Sequence, residues 1–438
     1  MAGKMITFDA LDDDTLRVLL DHLVRSRSQC VVTLRLVNKR LASLAFEYLF
    51  RNLEVDFDIL RSTRHTAHIQ KITQAGKSKH VRTLKLADKC WDATHRTHDT
   101  RQALLRSFAD ALSLFTGVNH IECDLQPIGY ADVCESVVDK IIRHPKSDLH
   151  MRLVVARNIH THVLDVLIHS ENLRSLDVTF RDAGSWLTQQ RLDTMLSSIK
   201  AIVISCRRLK SLTLNLPTMR YQGMVHNNNS LHNRYPFTAE EIARIAALET
   251  LIVWDYPFVI MPGFNEIANW ADHMDLSRLR SFGTLDGLLL SRIRSRLPEL
   301  ECLIMPNLSS DFQLPWVLRD EEIMACPMMR DLSCLRYLQI DITEDVSLQD
   351  ALLIQRSCHQ LERLCIGLHR ENGKWPLVHL NIIAGIKTLR QLSINFETRH
   401  DQLLGRPVLE PAVTYDATRD VEGRKGRQLS VQDATHLF

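Results

Sequence analysis

The sequence predicts an α/β fold, in which a short three-helix module precedes an irregular repeat solenoid with a curved parallel sheet. Apolar residues recur at helical spacing over the first 55 residues, a short leucine pattern returns many times beyond residue 80, and helical patterns separate its copies. The predicted domains are therefore a helical module at 1–55, a solenoid at 56–400 and a disordered tail at 401–438.

The composition is that of an ordinary globular protein and excludes several function classes. Apolar residues make up 45% of the 438 residues and charged residues 24%, while Lys plus Arg (54) nearly balance Asp plus Glu (52). Because no strong net charge attracts nucleic acid or an anionic membrane, we expect neither as a partner. The ten cysteines contain no Cys-x-x-Cys pair and the amino terminus lacks an apolar signal core, which predicts a cytoplasmic or nuclear protein with reduced thiols.

The first 55 residues contain three apolar clusters, and each predicts a short helix. The leucines at helical spacing in the first cluster are Leu16, Leu19, Leu20 and Leu23. The second and third clusters cover 31–37 and 41–49. A carboxylate at Asp13 or Asp14 can cap the first helix, where it suits the positive end of the helix dipole. A module of this size cannot bury all its apolar faces.

One pattern, Leu-x-x-Leu-x-Leu or a close variant, recurs beyond residue 80. Its clear copies begin at Val81, Val118, Leu173, Leu209, Leu248, Leu300, Leu335, Leu361 and Leu389. Weaker copies lie at 149–155 and 279–285, which makes the mean spacing about 31 residues. Helical patterns separate the copies, at 101–115, 133–142, 187–204 and 352–357. Each unit is therefore predicted to be a helix and a strand, and stacked units would share one continuous core.

These units resemble leucine-rich repeats over about residues 80–397. Cys206-Arg-Arg-Leu209 and Cys358-His-Gln-Leu361 are similar to the junction at which a repeat helix meets its strand, where cysteine serves as a small buried residue. The ninth repeat position in this family usually carries Asn or Cys, and here its occupants include Lys89, Arg181, Pro217, Tyr256 and Glu397. We therefore expect an irregular solenoid.

The helical module is similar to an F-box, in the register of its first helix and in Leu36-Val37-Asn38-Lys39-Arg40. Asp12 stands where that family carries proline, and Leu41 where an aromatic residue is common. The resemblance implies docking onto the Skp-type adaptor of a cullin-based ubiquitin ligase. The implied adaptor-binding residues are Leu11, Asp14, Leu16, Leu19, Leu20, Leu23, Leu36, Val37, Lys39 and Arg40. An F-box followed by leucine-rich repeats resembles fungal adaptor subunits of these ligases.

The residues between the leucines of each predicted strand face away from the core, onto the concave side of the solenoid. In the early strands they are the polar residues Thr83, Lys85, Ser175, Asp177, Ser211 and Thr213. In the later strands they form the candidate target-binding set, Ile252, Trp254, Ile304, Tyr337 and Gln339. Trp and Tyr are enriched in binding hot spots. Inserted loops could instead cover these side chains as a satellite core.

Together these patterns predict a non-catalytic substrate-recognition subunit of an SCF-type ubiquitin ligase. The module would bind the Skp-type adaptor and, through it, the cullin scaffold, and the repeats would hold an unknown target protein. Its contribution would be a high effective concentration of target near the ubiquitin-charged enzyme. One alternative is a repeat scaffold without a ligase role, whose module merely caps the solenoid. Another is an enzyme of an unrecognised kind.

No motif for catalysis or cofactor binding is complete. Gly76-Lys77-Ser78 lacks the first glycine of a phosphate-binding loop, because Lys71 occupies that position. The possible zinc ligands Cys90, His95, His98 and Asp99 match no four-ligand spacing. We therefore expect no metal, no cofactor and no catalytic residue, and we interpret Cys302 and Cys365 as outward-facing spacers on strands.

Three segments are too irregular for repeat helices and are predicted to be loops or insertions. They cover 217–237, 254–270 and 306–331. Loops that a scaffold holds out often carry function.

Overall fold

The computed structural model divides the chain into two compact units, residues 1–208 (unit 1) and 209–438 (unit 2). The structure describes residues 11–26, 28–34, 36–56, 69, 71–74, 76–87, 108–125, 139–144, 147–155, 161–180, 189–215, 237–254, 258, 260–261, 263–284, 287–305, 333–340, 348–369, 376–397 and 413–416.

Unit 1 begins with the three predicted helices, α1 (Asp13–Ser26), α2 (Ser28–Leu34) and α3 (Lys39–Leu49). Their shared core consists of Leu16, Leu20, Val31, Leu41, Leu44 and Ala45, each at most 5% exposed. Burial of a leucine contributes about 2 kcal/mol, so this small core is what holds the three short helices together.

A parallel sheet follows the module directly. Its strands are β1 (Asn52–Asp56), β2 (Thr83–Ala87), β3 (His120–Leu125), β4 (Asp148–Val155) and β5 (Leu173–Phe180). Each strand pairs with the next in chain order. A helical segment precedes each of the strands β2 to β5. These segments are, in order, a 3₁₀ helix (Lys77–His80), helical residues 108–112, helical residues 139–142 and α4 (Thr161–Leu167). α5 (Gln189–Ser205) follows β5. The sheet thus starts at Asn52, within the predicted 1–55 module, because Leu53 and Val55 alternate with polar residues and join the repeat core.

Unit 2 continues the same pattern of helices and parallel strands. The parallel strands are β6 (Ser211–Asn215), β7 (Thr250–Trp254), β10 (Ser281–Thr284), β11 (Cys302–Met305), β12 (Tyr337–Ile340), β13 (Arg363–His369) and β14 (Gln391–Glu397). A hairpin of β8 (Ile260–Met261) and β9 (Phe264–Asn265) interrupts them. The helices are α6 (Ala239–Ile242), α7 (Glu266–His273), α8 (Gly287–Ile293) with a 3₁₀ turn (Arg294–Arg296), α9 (Leu348–Ser357) and α10 (Leu377–Ala384).

The leucine pattern is confirmed as the inward register of the parallel strands in each unit. In unit 1 the register partners are Leu53, Leu84, Ile121, Leu149 and Leu173. In unit 2 they are Leu212, Leu251, Phe282, Leu303, Leu338, Leu364 and Leu392. All but Leu53 and Leu392 are at most 1% exposed, whereas the residues beside them on each strand are more exposed. This alternation shows a repeat fold, in which one inward row passes from strand to strand.

Two predicted loops differ from the structure. Within 254–270, α7 begins at Glu266, because Ile267, Trp270 and Ala271 recur at helical spacing and are buried. Phe237, placed in the loop 217–237, is also buried: its N–H donates to Glu266 Oε1 (2.9 Å). All of 217–236 and all of 306–331 lie outside the described residues.

The described part of the predicted disordered tail, residues 413–416, is a strand. β15 (Val413–Asp416) pairs antiparallel to β14, so the prediction of disorder is wrong for these four residues. Without β15, the outer edge of β14 would present unpaired backbone N–H and C=O groups. Val413-Thr414-Tyr415 has the β-branched and aromatic composition that favours pairing with such an edge.

A ladder of alternating charges crosses unit 2 at the residue that immediately precedes each strand. Its members are Lys210, Glu249, Arg280, Glu301, Arg336, Glu362 and Arg390. The backbone C=O of each of the first six accepts hydrogen bonds from two consecutive N–H groups of the next repeat. The described ion pairs within the ladder are Lys210–Glu249 (2.5 Å), Arg280–Glu301 (3.9 Å) and Arg336–Glu362 (4.0 Å). Neighbouring repeats thus place opposite charges side by side. This favours the observed strand register over a register shifted along the strands.

The Lys210–Glu249 pair predicts a small, pH-dependent contribution to stability. The hydrogen bond from Lys210 is the main reason why the pKa of Glu249 is lowered, and burial opposes this shift. The contribution is therefore present above the carboxyl pKa of the unfolded chain and is lost as the pH falls through the lower pKa of the folded state. We expect Glu249→Gln to reduce the free energy of unfolding by about 0.5 kcal/mol at pH 7, because both side chains are exposed.

Urea unfolding of the wild type and the Glu249→Gln variant at pH 7 and at about pH 2.5 measures this effect, which should vanish at the lower pH. Glu299→Gln, at an exposed turn position, is the control. An equal loss of stability at both pH values would contradict an ionic origin.

Candidate functional site

The first helix of the module begins with a side-chain cap that differs from the predicted one. Asp12, and not Asp13 or Asp14, accepts from Thr15 N–H (2.7 Å) and from the Thr15 hydroxyl (2.9 Å). The hydrogen bond from the Thr15 backbone is the main cause of a lowered pKa of Asp12. The reason is positional: α1 starts at Asp13, so the residue before it occupies the N-cap. Asp12, which stands where the F-box family carries proline, therefore has a structural role here.

The predicted adaptor-binding leucines divide into buried and exposed groups. Leu16 and Leu20 are 2% exposed and form the module core, so they do not lie on the surface of the module. Leu11 and Leu23 are part-buried against the same core. The predicted residues on the surface are Asp14, Leu19, Leu36, Val37, Lys39 and Arg40.

The module carries a concentration of exposed apolar side chains. Its members, which we call the exposed apolar set, are Val18 (70% exposed), Leu19 (39%), Val32 (41%), Leu36 (77%) and Val37 (60%). They are five of the nine large apolar residues that are exposed in the part of the chain that the structure describes. Val18 and Val32 are additional to the predicted residues. Val18 lies off the leucine stripe of α1, and helical periodicity alone gives it no role.

The turn between α2 and α3 presents Leu36 and Val37. Leu36 N–H donates to Thr33 O (3.0 Å) and Val37 N–H to Leu34 O (3.1 Å), so the end of α2 closes in short turns. Asn38 then caps α3 by accepting from Leu41 N–H (2.7 Å). The side chains of Leu36 and Val37 therefore project from a turn whose backbone is fixed at one side by the end of α2 and at the other by the N-cap of α3.

Arg40 ties this turn to the start of α1. Its guanidinium donates to the Leu11 carbonyl (2.7 Å) and to Asp13 Oδ1 (2.8 Å). Arg40 therefore has intramolecular partners, which hold the start of α1 next to this turn. Asp14 forms an exposed ion pair with Arg17 (3.2 Å).

A different surface of the module contacts the first repeat. Lys77 Nζ, in the 3₁₀ helix that precedes β2, lies 4.7 Å from the ring centroid of Phe46 and 5.0 Å from that of Phe50. Both rings belong to the end of α3, which leads after Arg51 into β1. A cation over two aromatic faces is a favourable contact. The module therefore packs on the repeats through the end of α3, and the exposed apolar set is not used for this contact.

The sheet of unit 1 has a charged outward face. Lys85 Nζ lies 2.8 Å from Glu122 Oε2, and Arg152 lies between Asp124 (3.7 Å) and Asp177 (3.4 Å). Burial opposes ionisation of Glu122, yet the hydrogen bonds from Lys85 and His120 leave its pKa lowered. Burial raises the pKa of Asp177. This face is therefore built from ion pairs between neighbouring strands.

The predicted target-binding residues all lie on the outward face of the unit 2 sheet. Ile252 and Trp254 are on β7, Ile304 is on β11, and Tyr337 and Gln339 are on β12, and each is part-buried. Their intermediate exposure agrees with outward positions on a sheet whose neighbouring side chains cover them partly. The structure thus brings this set together on one sheet.

The two predicted junction cysteines are buried, in agreement with the repeat pattern. Cys206 is 2% exposed and Cys358 0%, and burial raises the pKa of each thiol to about 11. Cys302 and Cys365 are part-buried at outward strand positions, as predicted. Such raised pKa values at the junctions are typical of structural cysteines.

The described ranges contain neither a metal-binding cluster nor a helix that could cross a membrane. No group of three or more His, Cys, Asp and Glu side chains there is placed to hold a metal ion. Cys90, His95, His98 and Asp99 lie outside those ranges. No described helix combines the length and the apolar character that crossing a bilayer requires.

Comparison with known proteins finds matches among solved structures only. No family model matches the chain. No curated protein matches it either. A chain in the crystal structure of the Rad7 and Elc1 complex in yeast superposes with a TM-score of 0.34 and 10% sequence identity, over 84% of this chain and 94% of that chain. Similarity at this level decides nothing about function, so the functional conclusion depends on the residues of this chain.

Proposed function

We propose that this chain is a non-catalytic substrate-recognition subunit of an SCF-type ubiquitin ligase. The helical module would bind a Skp-type adaptor, which connects it to the cullin scaffold, and the repeats would hold a target protein. The chain would act by holding a target lysine near the ubiquitin-charged enzyme, so that transfer profits from a high effective concentration.

The observation that carries this proposal is the exposure of Leu36 and Val37, at 77% and 60%, on a turn held between two helix ends. These two residues belong to the segment that resembles an F-box. Concentrated exposed apolar groups on a soluble domain are typical of protein interaction sites. Leu19 on α1 and Val32 on α2 are exposed as well and belong to the same exposed apolar set.

The alternative function is a repeat scaffold whose module only caps the array, as open repeat arrays require. One observation favours it: Phe46 and Phe50 do contact Lys77 at the first repeat. However, a cap needs only this surface of α3. The exposed apolar set has no role in capping. This supports a module that caps the array with one surface and docks onto a partner with another.

Titration of the purified full chain with the Skp-type adaptor of its own organism tests the proposal. The double variant Leu36→Asp/Val37→Asp should lose about 100-fold or more in affinity, because two apolar anchors are each worth about 2 kcal/mol. The matched control is Leu377→Asp/Val378→Asp, which alters another adjacent Leu-Val pair, exposed at 42% and 58% on α10. The control should bind like the wild type.

Two outcomes would contradict the proposal. If the wild-type chain does not bind the adaptor, the proposed ligase role is wrong. If both double variants lose binding equally, the loss is not specific to the module. Circular dichroism of each variant checks that the fold is kept.

A further inference from the structure

The outward face of the unit 2 sheet carries two rows of side chains that are nearly free of charge. The first row is Ser211, Thr250, Ser281, Cys302, Tyr337, Arg363 and Gln391. The second row is Thr213, Ile252, Gly283, Ile304, Gln339, Cys365 and Ser393. Within these two rows Arg363 is the one charged residue. Trp254 follows Ile252 on the same side of β7, and we call the two rows together with Trp254 the neutral face.

The outward face in unit 1 is different. Its register partners include Glu54, Lys85 and Glu122 in one row, and Asp124, Arg152 and Asp177 in another. One repeat architecture thus carries two kinds of sheet face. The contrast shows that the parallel sheet itself does not require uncharged outward residues.

The aromatic side chains of the neutral face are held in place. An ideal Cβ on Gly283 would lie 2.9 Å from Trp254 Cη2 and 3.2 Å from Ile252 Cγ2, so the absence of a side chain at Gly283 leaves the space that the indole occupies. The Tyr337 hydroxyl donates to Gln339 Oε1 (2.8 Å). Side chains that are fixed before binding lose less conformational entropy when a partner docks.

In two respects the composition of this face resembles that of an interface core. Such cores are depleted in charged residues and enriched in Trp, Tyr and Arg, which is the combination of Trp254, Tyr337 and Arg363. A charged group of a partner, if placed over the two rows, would lose its hydration against side chains of which only Arg363 carries a charge. The chemistry of the face thus selects against charged segments.

We propose that the neutral face binds a stretch of the target polypeptide that lacks charged side chains and carries aromatic or aliphatic ones. This inference rests on the proposed function only in calling the bound protein a target for ubiquitin transfer. The charged face of unit 1 does not take part in this contact. Trp254 and Ile304 provide apolar contact area, and Tyr337 and Gln339 provide hydrogen-bonding groups.

Selection of phage-displayed random peptides on the immobilised full chain supplies a probe, and titration of the best synthetic peptide by fluorescence anisotropy measures its affinity. Gln339→Glu adds one charge without changing side-chain size, and its carboxylate still accepts from Tyr337. Ser175→Asp, on the unit 1 face, is the matched control. We expect selected peptides free of Asp, Glu, Lys and Arg, a loss of at least 10-fold for Gln339→Glu, and a change of less than 2-fold for Ser175→Asp.

Several outcomes would overturn this inference. They are a charged peptide consensus, equal weakening by both substitutions, or the absence of any selected binder. Light scattering that shows a dimer which Gln339→Glu dissociates would identify a second copy of the chain as the occupant instead.

Adaptor titration of the same variants separates the inference from the proposed function, since Gln339→Glu should bind the adaptor like the wild type. If the wild type does not bind the adaptor, the ligase role is wrong, and the inference from the peptide result is unaffected. If the wild type binds the adaptor but the peptide experiment fails, only the inference about the neutral face is wrong.

Discussion

Replacement of Leu20 by aspartate is expected to unfold the helical module, with a loss of about 4 kcal/mol or more in its free energy of unfolding. Leu20 is 2% exposed and packs with Leu16, Val31, Leu41 and Leu44 in the shared core of the three helices. An aspartate there would bury a carboxylate without a partner, and a core of this size has little stability to lose.

The adjacent residue provides the control. Leu19 is 39% exposed, so Leu19→Asp should change the free energy of unfolding by less than about 1 kcal/mol. Hydrogen exchange of backbone amides in 13–49 measures module stability separately from the rest of the chain. Equal loss of protection in both variants would contradict the placement of α1. If the module binds an adaptor as proposed, Leu20→Asp should lose that binding through unfolding and not through a lost contact.

Replacement of Leu303 by alanine is expected to reduce the free energy of unfolding of unit 2 by about 3 to 4 kcal/mol. Leu303 is fully buried and pairs in register with Phe282 on one neighbouring strand and Leu338 on the other. The cavity would lie in the middle of the inward row, where strands on both sides limit collapse.

Ile304→Ala tests the opposite side of the same strand. Ile304 is part-buried on the outward face, so its loss should cost less than about 1.5 kcal/mol. Urea unfolding followed by tryptophan fluorescence suits this comparison, because Trp270 is buried within unit 2. If Ile304→Ala cost as much as Leu303→Ala, the assignment of inward and outward rows would be wrong. Leu303→Met, which conserves volume, should restore most of the stability.

Much of the repeat fold could be predicted because its signal is local. Each strand meets nearly the same surroundings as the strand before it, so the inward position is apolar in every copy and a short pattern repeats. Cys206 and Cys358 follow the same rule at the junctions. The charge ladder is also visible in the sequence, as the residue after the first apolar position of each copy from Leu209 to Leu389, although its meaning appears only when the strands are paired.

Other features depend on contacts that no short window contains. Trp270 is in the core because Phe237 and Phe258 pack against its ring, at centroid distances of 5.2 and 6.3 Å. These partners come from distant or irregular segments, so an aromatic-rich stretch was predicted as a loop. Asn52–Asp56 is a strand because β2 lies beside it, and its sequence alone is too short to indicate one.

The sequence by itself determined that this chain is an α/β repeat protein preceded by three helices, since a repeated environment imposes a repeated pattern. Only the tertiary structure decided which side chains are available to a partner. Leu19 and Leu20 have the same chemistry and differ by about 100° around α1, and the positions of α2 and α3 determine which of them is buried. Likewise, the neutral face exists because strands 21 to 39 residues apart in sequence align their uncharged residues in two rows.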